Sequence, residues 1–155
     1  MERSDFIHRY GALFEHSPWV VERAADRPRT DDLHGDLMKV VETATGDERL
    51  ALVRAHPELA GKAVVARELT AASAAEQASA GLDSLTQAEF DRFHQLNAAY
   101  QDRFGFPFII CVRRTDKAGI LAAMEQRLDN ERDTELKTAI TEIGEIVRLR
   151  LKDLP

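Results

Sequence analysis

One strongly apolar run in this sequence lacks helical periodicity. It covers residues 106–112, from Phe106 to Val112, and is interrupted by Pro107. A run of this length is typical of a strand or of a buried extended segment. A strand needs a partner for its backbone hydrogen-bonding groups, and no second strand-like run occurs in the sequence. We therefore expect an extended apolar connector, not a sheet, and the fold class that follows is all-α.

The rest of the sequence follows helical patterns, with apolar residues recurring every three or four positions. Thr86 and Glu89 have capping-box spacing and begin a long predicted helix that should end at Gly105. The other predicted helix starts are Ser17, Thr30 or Asp31, Asp47, Thr70, Asp116 and a residue near Thr134. These patterns predict a single compact domain over residues 1–155, with about seven or eight helices.

Composition excludes several classes of function. A net charge of −6 argues against nucleic acid as a partner, because phosphate contacts need a basic face. No segment approaches the ~18 uninterrupted apolar residues of a membrane span. The chain has 1 cysteine, so an intramolecular disulfide is impossible. The charged N-terminus lacks the apolar core of a signal peptide, and the expected location is the cytoplasm.

No metal-binding or nucleotide-binding motif is present. His8, His16, His34 and His94 do not have ligand spacing with cysteines or carboxylates, so we expect no metal site. Glycine-rich phosphate-binding loops are also missing. Cys111 lies in the apolar run, where a free cysteine usually behaves as a small buried hydrophobe.

His56 and Pro57 stand at the end of a predicted helix, before a glycine-containing turn that extends to Lys62. Histidine is the side chain best able to exchange a proton near neutral pH, which makes His56 a candidate acid or base. A histidine at a helix C-terminus is also favoured by the helix dipole. The position alone therefore fits either catalysis or helix stabilisation.

Ser73, Glu76 and Gln77 are spaced to share one face of a predicted helix. Together they would offer a hydroxyl, a carboxylate and an amide to one polar ligand. The Ser-x-x-Glu spacing is equally typical of a helix cap, so both interpretations stay open. Similarly, the extended connector either crosses the core or offers its unpaired backbone groups to a ligand rich in amides.

Five short segments follow one another along the chain, and their sequences and order together form one recognisable series. They are Phe14-Glu15-His16-Ser17-Pro18-Trp19, His56-Pro57-Glu58-Leu59-Ala60-Gly61-Lys62, Ser73-x-x-Glu76-Gln77-x-x-Ala80-Gly81-Leu82, Leu96-Asn97-x-x-Tyr100 and Arg103-Phe104-Gly105-Phe106-Pro107-Phe108-Ile109-Ile110-Cys111-Val112-Arg113. The series resembles the 2-oxo-4-hydroxy-4-carboxy-5-ureidoimidazoline (OHCU) decarboxylases of urate degradation. The resemblance extends over nearly the whole chain.

This resemblance implies an all-α homodimer that uses neither a metal nor an organic cofactor. The implied reaction is loss of CO₂ from OHCU, which gives (S)-allantoin. His56 corresponds to the proton donor, and we expect Glu76 to hold or polarise the substrate hydroxyl. The residues implied to bind the substrate are Pro57, Ser73, Gln77, Phe108, Ile109, Ile110, Cys111, Val112 and Arg150.

Two alternatives remain at this point. One is a helical lyase or isomerase that acts on another ureido or imidazole compound with the same His56 and Glu76. The other is a non-catalytic helical interaction module, which would expose an apolar helix face. A module does not require His56 and Glu76 to converge in space, so their separation would favour it.

Overall fold

The computed structural model describes residues 1–60 and 69–155, and within these ranges it is entirely helical, with no strand. Its elements are α1 (Arg3–Tyr10), α2 (Trp19–Ala25), α3 (Leu33–Thr43), α4 (Gly46–Arg54), α5 (Ala71–Ser79), α6 (Gln87–Phe104), a 3-10 helix (Val112–Arg114), α7 (Lys117–Arg127) and α8 (Arg132–Asp153). The predicted all-α fold is confirmed. Gly61 and Lys62, part of the predicted turn after His56, lie outside the described residues.

Several predicted helix boundaries are confirmed by their caps. Thr70, Thr86 and Asp116 each accept a hydrogen bond from a backbone N–H three residues later, at the starts of α5, α6 and α7. Glu89 completes the predicted capping box of α6. Gly105 ends α6 with φ 79°, a left-handed conformation that glycine adopts without strain.

Three other helices begin at residues that the sequence pattern did not select. Asp32 caps α3, one residue beyond the predicted pair. Thr45 forms a capping box that begins α4, so Asp47 lies inside the first turn instead of capping it. The hydroxyl of Ser17 does not cap α2, because Pro18 itself occupies the N-cap position. Local propensity allowed neighbouring caps in each case, and tertiary packing selected one.

The extended connector lies between α6 and the 3-10 helix, as predicted. Residues 107–111 have no regular secondary structure, and Val112 begins the 3-10 helix. Phe106, Phe108 and Ile109 are buried in the single cluster of apolar side chains that forms the core. The connector therefore crosses the core, and its backbone groups must find partners outside regular structure.

A buried polar network holds the connector in place. Glu135 on α8 accepts hydrogen bonds from the Tyr100 hydroxyl at 2.6 Å and from Nε of Arg127 at 2.8 Å. Arg127 also donates to the Ile109 carbonyl at 2.8 Å, and its guanidinium lies 4.3 Å from the centre of the Phe108 ring. Burial and the bond to Glu135 raise the pKa of Tyr100. The network thus ties the connector to α6, α7 and α8.

We predict that Glu135→Gln destabilises the protein by about 3–5 kcal/mol, because it leaves the Arg127 charge buried without its counter-ion. Urea unfolding monitored by circular dichroism measures this loss. Glu131→Gln is the matched control, since Glu131 is exposed just before α8 and caps nothing with its side chain. A loss of less than about 1 kcal/mol for Glu135→Gln would contradict the role given to this pair.

Candidate functional site

A pocket opens among the end of α4, the buried face of α5, the connector and α8. Every predicted site residue except Arg150 lines it: His56, Pro57, Ser73, Glu76, Gln77, Phe108, Ile109, Ile110, Cys111 and Val112. Leu59, Arg113 and Ile146, which the sequence did not single out as site residues, complete the lining. The structure therefore brings together side chains from four separate segments of the chain.

His56 follows α4 directly, and its backbone N–H donates to the Val53 carbonyl at 3.2 Å. Within the described residues, its imidazole ring has no hydrogen-bond partner and faces the pocket. Burial, and to a smaller extent the positive charge of Arg150, lower the pKa of His56 to about 4 against the opposing effect of Glu15. The ring is therefore neutral at neutral pH while the pocket is empty.

Arg150 lies behind the pocket wall, and its guanidinium connects three parts of the chain. It binds both oxygens of Glu76, with Nε 2.8 Å from Oε2 and Nη2 2.7 Å from Oε1. It also donates to the Ser73 hydroxyl at 3.2 Å and to the Leu13 carbonyl at 3.0 Å. Nη2 lies 3.4 Å from Oε2 of Glu15. A bidentate, buried pair of this kind fixes the Glu76 carboxylate in one orientation.

Glu15 is a residue of this cluster that the sequence analysis gave no role. Its carboxylate is 3% exposed and accepts hydrogen bonds from the hydroxyls of Thr70, at 2.8 Å, and Ser73. Burial acts to raise the pKa of Glu15, but these hydrogen bonds and the charge of Arg150 outweigh it and hold the pKa below its usual range. A charged residue directly after the apolar pair Leu13 and Phe14 was the available signal.

Ser73, Glu76 and Gln77 share one face of α5, as their spacing predicted, and that face lines the pocket. Thr70, not Ser73, caps this helix. The helix-cap interpretation of the Ser-x-x-Glu spacing is therefore wrong at this position. The Ser73 hydroxyl donates to Glu15 and accepts from Arg150, so its orientation is set by both charges.

The Gln77 side chain holds the backbone that follows His56. Its Oε1 accepts from the Ala60 N–H at 3.0 Å, and its Nε2 donates to the Glu58 carbonyl at 3.2 Å. Ala60 has φ 53°, a left-handed conformation that costs a non-glycine residue of the order of 1 kcal/mol. A side-chain amide has two N–H bonds, and within the described residues Nε2 of Gln77 donates only one hydrogen bond, to Glu58.

The connector forms the opposite wall of the pocket. The Cys111 N–H donates to Glu142 at 3.3 Å, and the Ile109 carbonyl accepts from Arg127. Within the described ranges, the N–H groups of Ile109 and Ile110 donate no hydrogen bond. Burial raises the pKa of the Cys111 thiol, which keeps it protonated and unreactive. The wall thus offers backbone donors beside apolar side chains.

The described ranges show neither a metal-binding cluster nor a membrane-spanning helix. They contain no cluster of three or more His, Cys, Asp or Glu side chains arranged to hold a metal ion. Among the helices in these ranges, none combines the length and the apolar character needed to cross a bilayer.

Comparisons with known proteins agree on one family. A family model described as OHCU decarboxylase matches residues 1–152. The 2-oxo-4-hydroxy-4-carboxy-5-ureidoimidazoline decarboxylase of Haloferax volcanii is 42% identical, over 99% of this chain and 90% of that protein. The protein of the same name in Halalkalicoccus jeotgali is 39% identical, over 99% and 86%.

A solved structure is also similar. The crystal structure of (S)-allantoin synthase superposes with a TM-score of 0.77 at 29% sequence identity. The superposition covers 97% of this chain and 49% of that chain, so the present chain spans about half the length of the synthase. The fold seen here is thus shared with a protein of that name.

The lowered pKa of His56 predicts a dependence of stability on pH. An unfolded histidine takes up a proton below about pH 6.5, whereas native His56 does so only near its pKa of about 4. The unfolded state therefore binds more protons in this window, and the free energy of unfolding falls as the pH falls through it.

We expect this group to account for about 2 kcal/mol of stability lost between about pH 7 and about pH 4.5, a loss that His56→Gln would avoid. Urea unfolding at the two pH values measures the difference. His8→Gln, which changes an exposed histidine on α1, should lose as much stability as the unmodified protein. Equal losses in all three proteins would show that His56 is not buried in its neutral form.

Proposed function

The chain belongs to the OHCU decarboxylase family, and we propose that it converts OHCU to (S)-allantoin and CO₂ in urate degradation, with His56 as the proton donor. The observation that carries this proposal is the convergence of His56 and Glu76 in one pocket. The connector lines the same pocket, and within the described residues its Ile109 and Ile110 N–H groups donate no hydrogen bond.

The substrate supplies its own electron sink. When the bond between the ring carbon and the carboxylate breaks, its electron pair forms a carbon–carbon double bond and displaces the electrons of the neighbouring C=N onto nitrogen. That nitrogen takes up a proton, and CO₂ leaves. A proton then adds to the carbon that bears the ureido group, while the hydroxyl loses its proton and becomes the ring carbonyl of allantoin. This route needs neither a metal nor an organic cofactor.

The pocket favours the first step by the character of its walls. Leu59, Phe108 and Ile146 present apolar surface, which solvates a carboxylate poorly. The charge spreads out as CO₂ forms, so an apolar wall destabilises the bound substrate more than the transition state. The N–H groups of Ile109 and Ile110 are suited to hold the ureido and ring carbonyls and so to orient the carboxylate.

His56 becomes a donor only when the substrate is present. Its neutral form in the empty pocket cannot donate to carbon. The substrate carries a negative charge into the same enclosed space, and a nearby anion favours the protonated imidazole. Substrate binding thus favours protonation of His56. His56 then donates this proton to the carbon that bears the ureido group, from its own side of the pocket. Delivery from one side produces one enantiomer.

Glu76 is placed to bind the substrate hydroxyl. Arg150 occupies one lone pair on each of its oxygens, and a carboxylate oxygen has the capacity to accept a further hydrogen bond. A hydroxyl bound to Glu76 becomes more electron-rich as its proton is drawn away, which assists formation of the carbonyl. Ser73 and Gln77 extend the same face with a hydroxyl and an amide.

The alternatives differ in what they explain. An interaction module gives no reason for His56 and Glu76 to line one pocket, as they do. A helical lyase or isomerase acting on another ureido or imidazole compound would use the same groups. Substrate tests distinguish it, whereas the family membership favours OHCU.

Assembly and location are part of the same proposal. We infer a homodimer, because the resemblance to the family implies one, and a cytoplasmic protein, because the chain cannot form an intramolecular disulfide. Sedimentation equilibrium of the purified protein tests the dimer. The expected mass is that of two chains at micromolar concentration, and the mass of one chain would contradict it.

The function is tested with OHCU generated in situ from urate by a urate oxidase and a hydroxyisourate hydrolase. OHCU also decays spontaneously, so the rate of its consumption is compared with and without the protein. Acceleration in proportion to protein concentration supports the proposal. An unchanged rate would contradict it and favour a different ureido or imidazole substrate.

We predict that His56→Ala lowers the turnover number by ~10²–10⁴, the range typical of a lost general acid. The measurement is the rate of OHCU consumption at saturating substrate. His94→Ala, at an exposed position on α6, is the matched control and should retain the unmodified rate. A loss of less than ~5-fold for His56→Ala would exclude His56 as the general acid.

A further inference from the structure

Glu15 stands in a tight turn that directs its side chain into the protein. The Ser17 N–H donates to the Phe14 carbonyl at 3.0 Å and closes this turn between α1 and α2. His16 has φ 53°, a left-handed conformation that is costly for a residue with a side chain. The fold therefore maintains local backbone strain at the residue next to Glu15.

The Glu15 carboxylate holds two of the groups that form the site. Oε2 accepts from the Ser73 hydroxyl and lies 3.4 Å from Nη2 of Arg150. Thr70, which caps α5, donates to the same oxygen at 2.8 Å. Glu15 thus fixes the start of α5 and the guanidinium that orients Glu76.

Among the described residues, the second carboxylate oxygen of Glu15 has no such contacts. Oε1 is buried and has no hydrogen-bond partner in the described part of the chain. Its nearest basic atom there is Nε2 of His16, at 3.6 Å, on a ring that is 62% exposed. A buried carboxylate oxygen without a donor is costly, and no hydrogen bond from the described residues offsets this cost.

The charge of Glu15 also acts on His56. The titratable and charged groups around His56 come from the turn after α1, from α5, from the connector and 3-10 helix, and from α8. They are Glu15, His16, Glu76, Cys111, Arg113 and Arg150. Arg150 disfavours a second positive charge at His56, whereas Glu15 favours it. The two effects have opposite signs because the two groups have opposite charges.

We infer that Glu15 is a positioning residue of the active site, which orients Ser73 and Arg150 and supplies the negative charge that offsets Arg150 at His56. It does not touch the pocket, so it acts through these three residues. This inference rests on the proposed function, because it concerns the protonated form of His56 that donates to the substrate.

Two substitutions separate the two parts of this role. Glu15→Gln preserves the shape of the side chain and removes its charge. The alkaline limb of the kcat profile reports loss of the protonated donor, and it should move toward lower pH by about one pH unit. Glu22→Gln removes the same charge from an exposed position on α2, and its profile should match that of the unmodified protein.

Glu15→Asp preserves the charge and shortens the side chain by one methylene group. The alkaline limb of the kcat profile should keep its position because the charge is retained. The kcat should fall by about 10-fold, because a shorter carboxylate no longer reaches Ser73 and Arg150 together. Thermal unfolding by circular dichroism identifies any variant that does not fold. If Glu15→Gln does not fold, Glu15→Asp still tests the inference, because its kcat should fall while its pH profile stays unshifted.

The outcomes are distinct. Two results would overturn the inference while the unmodified enzyme stays active. One is an alkaline limb of the kcat profile that does not shift in folded Glu15→Gln, and the other is a kcat of Glu15→Asp equal to that of the unmodified enzyme. If the unmodified protein does not accelerate OHCU consumption, the proposed function itself fails. The inference is supported if the alkaline limb shifts toward lower pH in Glu15→Gln and stays unshifted in Glu15→Asp.

Discussion

The guanidinium of Arg150 is the contact on which the arrangement of the site depends. It is 7% exposed and bonds to the turn after α1, through Leu13 and Glu15, and to α5, through Ser73 and Glu76. A buried charge that satisfies so many partners resists displacement, because loss of any partner leaves it unpaired. The site is therefore rigid where Glu76 must be oriented.

The same cation sets the chemistry of the pocket through its charge. Arg150 and burial together keep His56 neutral when the pocket is empty, and the anionic substrate reverses this condition. Binding and protonation are thus coupled, so the donor is charged mainly when a substrate is present to receive its proton. The apolar side of the pocket completes the account, since it favours loss of a carboxylate as CO₂.

Sequence reasoning predicted the helices and much of the site for reasons that are local. The shared face of Ser73, Glu76 and Gln77 follows from helix periodicity, and the connector follows from the lack of a second strand-like run. Caps at α2, α3 and α4 were placed wrongly, because several neighbouring residues can cap a helix. Contacts between Arg150 and Glu15, 135 residues apart, are not encoded in any local pattern. The charge of Glu15 beside Leu13 and Phe14 was a local signal of an unusual position, but it did not show which groups Glu15 contacts.

The central claim is that one side of this pocket delivers the proton, and the handedness of the product tests it most directly. OHCU generated in situ is allowed to react with an excess of the protein, so that spontaneous decay contributes little, and the allantoin is analysed by circular dichroism. The account predicts almost pure (S)-allantoin from the protein and a racemate without it. A racemic product formed at an accelerated rate would contradict delivery from His56 to a single face.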